Sequence, residues 1–163
     1  MDVTAILNWV HDSWLGAYVR DTQWTWATFE TLHFMGLCTL FGAIGLLDLR
    51  LLGFARRIPL KPALRFIPIA IGGFVVNLLT GIGFFAADPF RYAVNISFQL
   101  KMLLVVLGGV NALWFEFAER RKLEALPDDV EVDFQAKLMA AASLAIWIGV
   151  IIFGRLIPYI GTG

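Results

Sequence analysis

The chain of 163 residues has a single cysteine, only two histidines and few charges. One cysteine rules out an intramolecular disulfide, and no Cys-x-x-Cys pattern exists to hold a metal or attach a haem covalently. Charged residues make up 16% of the chain, against about 25% in soluble proteins, and the formal charge is +0. That balance offers no basic surface for nucleic acid. No phosphate-binding loop, nucleophile–base arrangement or multi-ligand zinc motif is present, so nothing positively supports a classical enzyme. The first residues carry Asp2 instead of a basic patch, and their apolar positions are spaced, so no cleavable signal is expected.

What the chain has in excess is apolar side chain. Hydrophobic residues reach 59%, and the mean hydropathy is +0.74. A bilayer-spanning helix needs about 20 predominantly apolar residues. Four segments qualify: Trp24–Leu52, Ala63–Ala87, Tyr92–Phe117 and Phe134–Tyr159. The expected fold is an all-α membrane protein, a single integral domain over 1–163 built on a four-transmembrane-helix bundle. Pro59, Pro62, Pro89 and Pro127 fall in or beside the breaks, the last in a charged loop centred on Leu126, Pro127, Asp128 and Asp129. Pro68 is expected to kink the second span. Ahead of the first span, Val3, Ile6, Leu7, Val10, Trp14 and Tyr18 recur at helical spacing. They predict an amphipathic interfacial helix over about 3–19.

Lysine and arginine give direction. Arg50, Arg56, Arg57, Lys61 and Arg65 surround the first connection, and Arg120, Arg121, Lys122 and Lys137 the third; Arg20 and Arg91 lie on the other side. The positive-inside rule puts both basic connections in the cytoplasm and both termini outside, which in a bacterial inner membrane means the periplasm. Trp24, Trp26 and Tyr159 then join the aromatic belt of the outer surface.

Ionisable residues inside a span cost about 2.5–3.5 kcal/mol each on insertion scales and mark functional positions. Glu30 and His33 in span one, Lys101 in span three and Arg155 in span four all fall in the outer third of the bilayer, at a helical rise of about 1.5 Å per residue. They are expected to form one layer. Glu30 and His33, three residues apart, share a helix face, and a carboxylate beside an imidazole suits a metal-bound histidine. Lys101 is a charge partner for Glu30, or a ligand. A neutral hydrogen-bonded knot between helices accounts for the same residues. His33 is the only histidine within a span, so two histidines of one bundle cannot hold a haem unless His11 folds in or another subunit contributes. Asp48 is expected to pair with Arg50 or a basic loop residue. Small residues mark close helix contacts at Cys38, Gly42 and Gly45, at Gly73, Asn77 and Gly81, and at Ala142, Ala145 and Gly149. Asn77, Asn95 and Asn111 are expected to hydrogen-bond between helices, and Met35, Met102 and Met139 to fill the core.

The string Trp24-Thr25-Trp26-Ala27-Thr28-Phe29-Glu30-Thr31-Leu32-His33-Phe34-Met35-Gly36-Leu37, continued by Asp48-Leu49-Arg50-Leu51-Leu52-Gly53, resembles an uncharacterised family of small four-span bacterial inner-membrane proteins. So do Asn95-Ile96-Ser97-Phe98-Gln99-Leu100-Lys101 and Gly154-Arg155-Leu156-Ile157. More loosely, an early intramembrane histidine followed by a glycine-rich stretch is similar to the CopD copper-resistance membrane domain and to small b-type cytochromes. The several histidines of diheme cytochromes are lacking. The expected function is therefore haem or metal binding for electron transfer or redox sensing near the periplasmic face. His33 would be the ligand to haem b or copper, Glu30 its carboxylate partner, Lys101 a distal ligand or charge partner, and Arg155 a propionate anchor. Expected partners are the lipid bilayer, a redox protein and further copies of the chain in a homo-oligomer, with no nucleic acid. The alternatives are an ion- or proton-coupled transporter component using Glu30 and Lys101, and a structural interaction protein in which the polar layer fixes helix register.

Overall fold

The computed structural model describes residues 2–127 and 131–160; Asp128 and Asp129 of the charged loop lie outside them. Helices run over α1 (Val3–His11), α2 (Trp14–Asp21), α3 (Thr25–Leu52), α4 (Leu60–Leu64), α5 (Ile67–Ala87), α6 (Pro89–Val94), α7 (Ile96–Ala118), α8 (Arg120–Ala125) and α9 (Phe134–Leu156). No strand occurs among the described residues. Four stretches are long and apolar enough to cross a membrane: α3, α4 with α5, α7 and α9. The 21 residues of α5 rise about 31 Å, the thickness of a bilayer's hydrocarbon core. The protein is an all-α, multi-pass membrane bundle, with a terminal face and an opposite basic face.

Polar residues set the breaks, and several differ from the sequence expectation. The interfacial helix is two helices, because Ser13 caps α2: its hydroxyl donates to the Val10 carbonyl at 2.6 Å and accepts from the Gly16 amide at 3.2 Å. α1 buries no residue, whereas α2 packs on α5. A Cβ at Gly16 would stand 2.5 Å from the Ala86 carbonyl oxygen, so only glycine fits that crossing. Span three begins at Ile96, leaving Tyr92 on the short α6. Asn95 causes this break by capping α7, its Oδ1 accepting from the Phe98 amide at 3.0 Å. Pro68 interrupts its helix outright. Its ring opposes the carbonyl four residues back, and α4 accordingly stops at Leu64 and α5 starts at Ile67.

The bundle is two helix pairs, α3 with α5 and α7 with α9, joined mainly along α3 and α9. Between helices in lipid there is little hydrophobic driving force, so close approach and dispersion hold each pair. α3 and α5 cross at Gly36 and Gly73, where a Cβ on Gly73 would lie 2.6 Å from the Leu40 amide nitrogen and 2.7 Å from the Gly36 carbonyl oxygen. Gly36 thus takes the role expected of Cys38 and Gly42: Cys38 is exposed, and Gly42 has nothing within 4 Å, whereas Gly45 is buried and a Cβ there would touch Leu144 of α9 at 4.0 Å. On α9 the buried face is Ala136, Met139, Ala140, Ser143, Trp147 and Val150, with Ala142 and Ala145 exposed. Met35 is exposed too, leaving Met139 as the buried methionine.

The basic face is capped by water-side hydrophobic packing. Leu60, Ala63 and Leu64 of α4, Leu123 of α8 and Val132 cover Leu47 and Leu51 of α3 and Ala136 and Ala140 of α9. Leu60 and Leu123 are almost wholly buried, each stabilising by about 1.5–3 kcal/mol. α3 ends in a left-handed glycine, Gly53 at φ 92°. The Phe54 amide closes onto the Leu49 carbonyl at 3.0 Å, the usual glycine-terminated helix end.

Candidate functional site

Between the two helix pairs, toward the terminal face, lie two adjoining cavities of about 380 Å3 and about 330 Å3. His33, Leu37, Asn77, Gly81, Phe85, Phe98, Lys101 and Val150 line both. Glu30 and Arg155 line the smaller, so all four intramembrane ionisable residues predicted from sequence meet one space. Glu30 and Lys101 each lie five residues into their helices, about 7.5 Å below the terminal end.

His33 is held from α5. Its Nδ1 is 2.8 Å from the Thr80 hydroxyl oxygen. That hydroxyl is itself 2.7 Å from the Val76 carbonyl and 3.1 Å from the Asn77 carbonyl. Thr80 has one proton to give, and the backbone carbonyls take it, so Nδ1–H donates to Thr80. The neutral imidazole consequently carries its lone pair on Nε2, which has no hydrogen-bond partner among the described residues. Phe84 stands edge-on to the ring at 5.6 Å between centroids and fixes its plane.

Lys101 crosses from α7 toward α9. It runs beside Gly154, where a Cβ would sit in ordinary contact, 3.6 Å from both Cδ and Nζ of the lysine. Lys101 forms no ion pair or hydrogen bond with any described residue, and neither does Glu30. Arg155 leans on the next turn, 3.3 Å from the Tyr159 hydroxyl and 5.5 Å over its ring, at the mouth of the cavity. Aromatic rings form the remaining walls, with Phe85 stacked on Phe98 at 5.8 Å.

Two expected pairings are corrected. The partner of His33 is Thr80, across the α3–α5 contact, and not Glu30 on its own helix. Lys101 does not pair with Glu30. His11 does not enter the cavity; it stays at the terminal face, 3.0 Å from Asp12 and 3.1 Å from Arg20, so His33 is the only histidine at the site. Asn95 and Asn111 do bond between helices, Asn95 to the Ile157 and Ile160 carbonyls and Asn111 to that of Met139, but Asn77 donates to Gly73 of its own helix. Met102, expected as core filler, lines the larger cavity. Thr80 escaped the sequence reading. A threonine in a helix ordinarily satisfies its hydroxyl on the preceding turn, so nothing in the sequence singled out this one.

The arrangement offers a volume within the usual range of about 300–1,000 Å3 for small-molecule sites. Its parts are one oriented imidazole lone pair, an unpaired ammonium and a guanidinium at the rim. No three His, Cys, Asp or Glu side chains cluster as a bare-ion site among the described residues. No family model, curated protein or solved structure matches the chain.

Proposed function

We propose that this protein binds haem b within the membrane, where His33 Nε2 would hold the iron, and works in electron transfer or redox sensing. The supporting observation is the Thr80 hydroxyl, which leaves the Nε2 lone pair free in a cavity walled by Phe74, Phe85, Phe98 and Trp147. A haem site needs one proximal ligand, apolar walls and cations for its propionates. A bare copper ion would need several protein donors, whereas haem brings its own equatorial nitrogens, so this donor set favours haem. When bound, the group supplies a one-electron couple. The chain's own residues do the rest: Thr80 sets the imidazole's tautomer, Lys101 would serve as a second ligand or charge partner, and Arg155 would meet the group's carboxylates at the mouth. In this reading the site faces the periplasm from a bacterial inner membrane, both termini lie on that side, and a redox partner and a homo-oligomer complete the unit.

The test is an absorption spectrum of the detergent-purified protein, as isolated and after adding hemin. A Soret band is expected, with one haem per chain by pyridine haemochromogen, and His33→Ala should remove it. An equal band in His33→Ala, or no uptake by the wild type, would sink the assignment.

A further inference from the structure

A third cavity of about 400 Å3 occupies the same seam on the side of the basic face. Leu40, Phe74 and Trp147 line both it and the larger terminal-side cavity. The last two rings meet edge-on at 6.3 Å. These three side chains form an apolar septum across the bundle, with an ionisable chamber on either side.

The basic-side chamber holds Asp48, 3% exposed, where the sequence suggested an ion pair with Arg50 or the loop. No such pair forms; the Arg50 guanidinium donates its Nε to the Ile58 carbonyl at 2.5 Å. Asp48 Oδ2 is buried with no hydrogen-bond partner. Around it, α9 presents the buried Ser143 and α7 presents Asn111, whose Nδ2 is taken by the Met139 carbonyl at 3.2 Å. α5 contributes only Ile67, Ala70, Ile71 and Phe74. The other charged groups lining the chamber are Glu116 of α7 and Arg120 of α8, bonded to each other at 2.7 Å and 2.9 Å.

An ionised carboxylate in such surroundings carries a penalty of several kcal/mol unless a cation or a proton relieves it. A hard metal ion takes about six oxygen ligands or more, and Asp48, Ser143 and Asn111 fall short of that number. A proton needs only the one free oxygen. We propose that Asp48 is a proton-binding site, loaded through this chamber from the basic face and sealed from the terminal face by Leu40, Phe74 and Trp147. In the step, hydronium gives its proton to the carboxylate, leaving water and a neutral acid. The inference is independent of what the terminal-side cavity binds.

The test is labelling with dicyclohexylcarbodiimide in sealed vesicles, read by peptide mass spectrometry. The reagent's nitrogen takes the acid's proton while the carboxylate oxygen adds to its central carbon; rearrangement then leaves a stable N-acylurea on that residue. Asp48 should be labelled at neutral pH, and the yield should fall about tenfold per unit once the basic-face compartment is made alkaline enough to remove the proton. Raising the pH only on the terminal side should leave the yield unchanged. An Asp48 peptide unlabelled at acid and neutral pH, or a yield that follows the terminal-side pH, would overturn the proposal. Because the readout resolves the residue in the wild-type chain, it does not depend on Asp48→Asn folding. Where Asp48→Asn does fold, the infrared band of a protonated carboxyl should vanish; its persistence would count against the assignment.

Discussion

Charge is treated in opposite ways at the bundle's surface and inside its spans. On the basic face, Arg120 bonds Glu116 and Glu124, Lys122 bonds Glu119, and Glu131 receives both Lys137 and Arg56. Toward the terminal face, Glu30 and Lys101 line one cavity without an ion pair between them. Pairing is easy where water and loops let side chains find each other, and the exposed pairs among these, Lys122–Glu119 with its buried carboxylate apart, contribute only about 0–1 kcal/mol. Leaving a charge unpaired inside a span opposes insertion, so it needs a reason beyond stability. The contrast separates the charges paired at the surface from those left unpaired inside the bundle.

The largest expected effect breaks the scaffold that both ends share. Gly73→Leu would push its side chain into the backbone of α3. Overpacking costs about 1–3 kcal/mol, occasionally more, so denaturant unfolding in detergent should shift strongly and the cavity should be lost with it. Gly42→Leu, which meets open space, should stay within about 0.5 kcal/mol of wild type. Equal effects from the two would dismiss the Gly36–Gly73 crossing.

Thr80→Val sharpens the terminal side of the comparison. It keeps the shape and removes the acceptor that fixes His33. Loss of such an outer partner typically weakens a ligand site about 10–100-fold. Hemin titration should show that loss with little change in unfolding, and an unchanged affinity would mean the tautomer is set elsewhere. Exchanging one lysine at each end then tests the contrast directly. Lys101→Met should alter hemin affinity or the bound spectrum without lowering stability, since it removes an unpaired charge. Lys137→Met should cost up to about 1 kcal/mol and leave hemin binding alone.

The smallest effect is a pH response at the basic face. Lys137, and after it Arg56, holds the Glu131 carboxyl below its ordinary value of 4.5. A depressed carboxylate contributes stability that is present above its unfolded value and is lost as pH falls through the lowered folded value. Wild type and Glu131→Gln should therefore differ slightly at neutral pH and converge as pH falls through that lowered value, measured by thermal unfolding. A gap that widens in acid would contradict the pairing.

Much of the molecule was legible beforehand, for a simple reason. Long apolar runs and the prolines between them act through length and covalent geometry, which a sequence displays directly. The shared layer of Glu30, His33, Lys101 and Arg155 followed from counting residues along each helix. Partners did not follow, because helix rotation decides them. His33 found Thr80 and not Glu30 because α3 turns that imidazole toward α5. Asp48 faces Ser143 instead of Arg50 for the same kind of reason. Asn95 broke a span that looked continuous because its side chain offers the backbone a better acceptor than the helix does.

The two-pair construction also determines how a molecule reaches the cavity. Leu78 and Ile82 of α5 and Met102 of α7 line the larger cavity and are at the same time exposed on the bundle's flank. Entry past these side chains would come sideways, out of the hydrocarbon. A ligand arriving there is drawn from what has already dissolved in the bilayer, so its effective concentration is set by its partition coefficient and not by its level in water. Occupancy would then rise with the lipid solubility of the guest and fall as added lipid dilutes it, even with the aqueous amount held fixed.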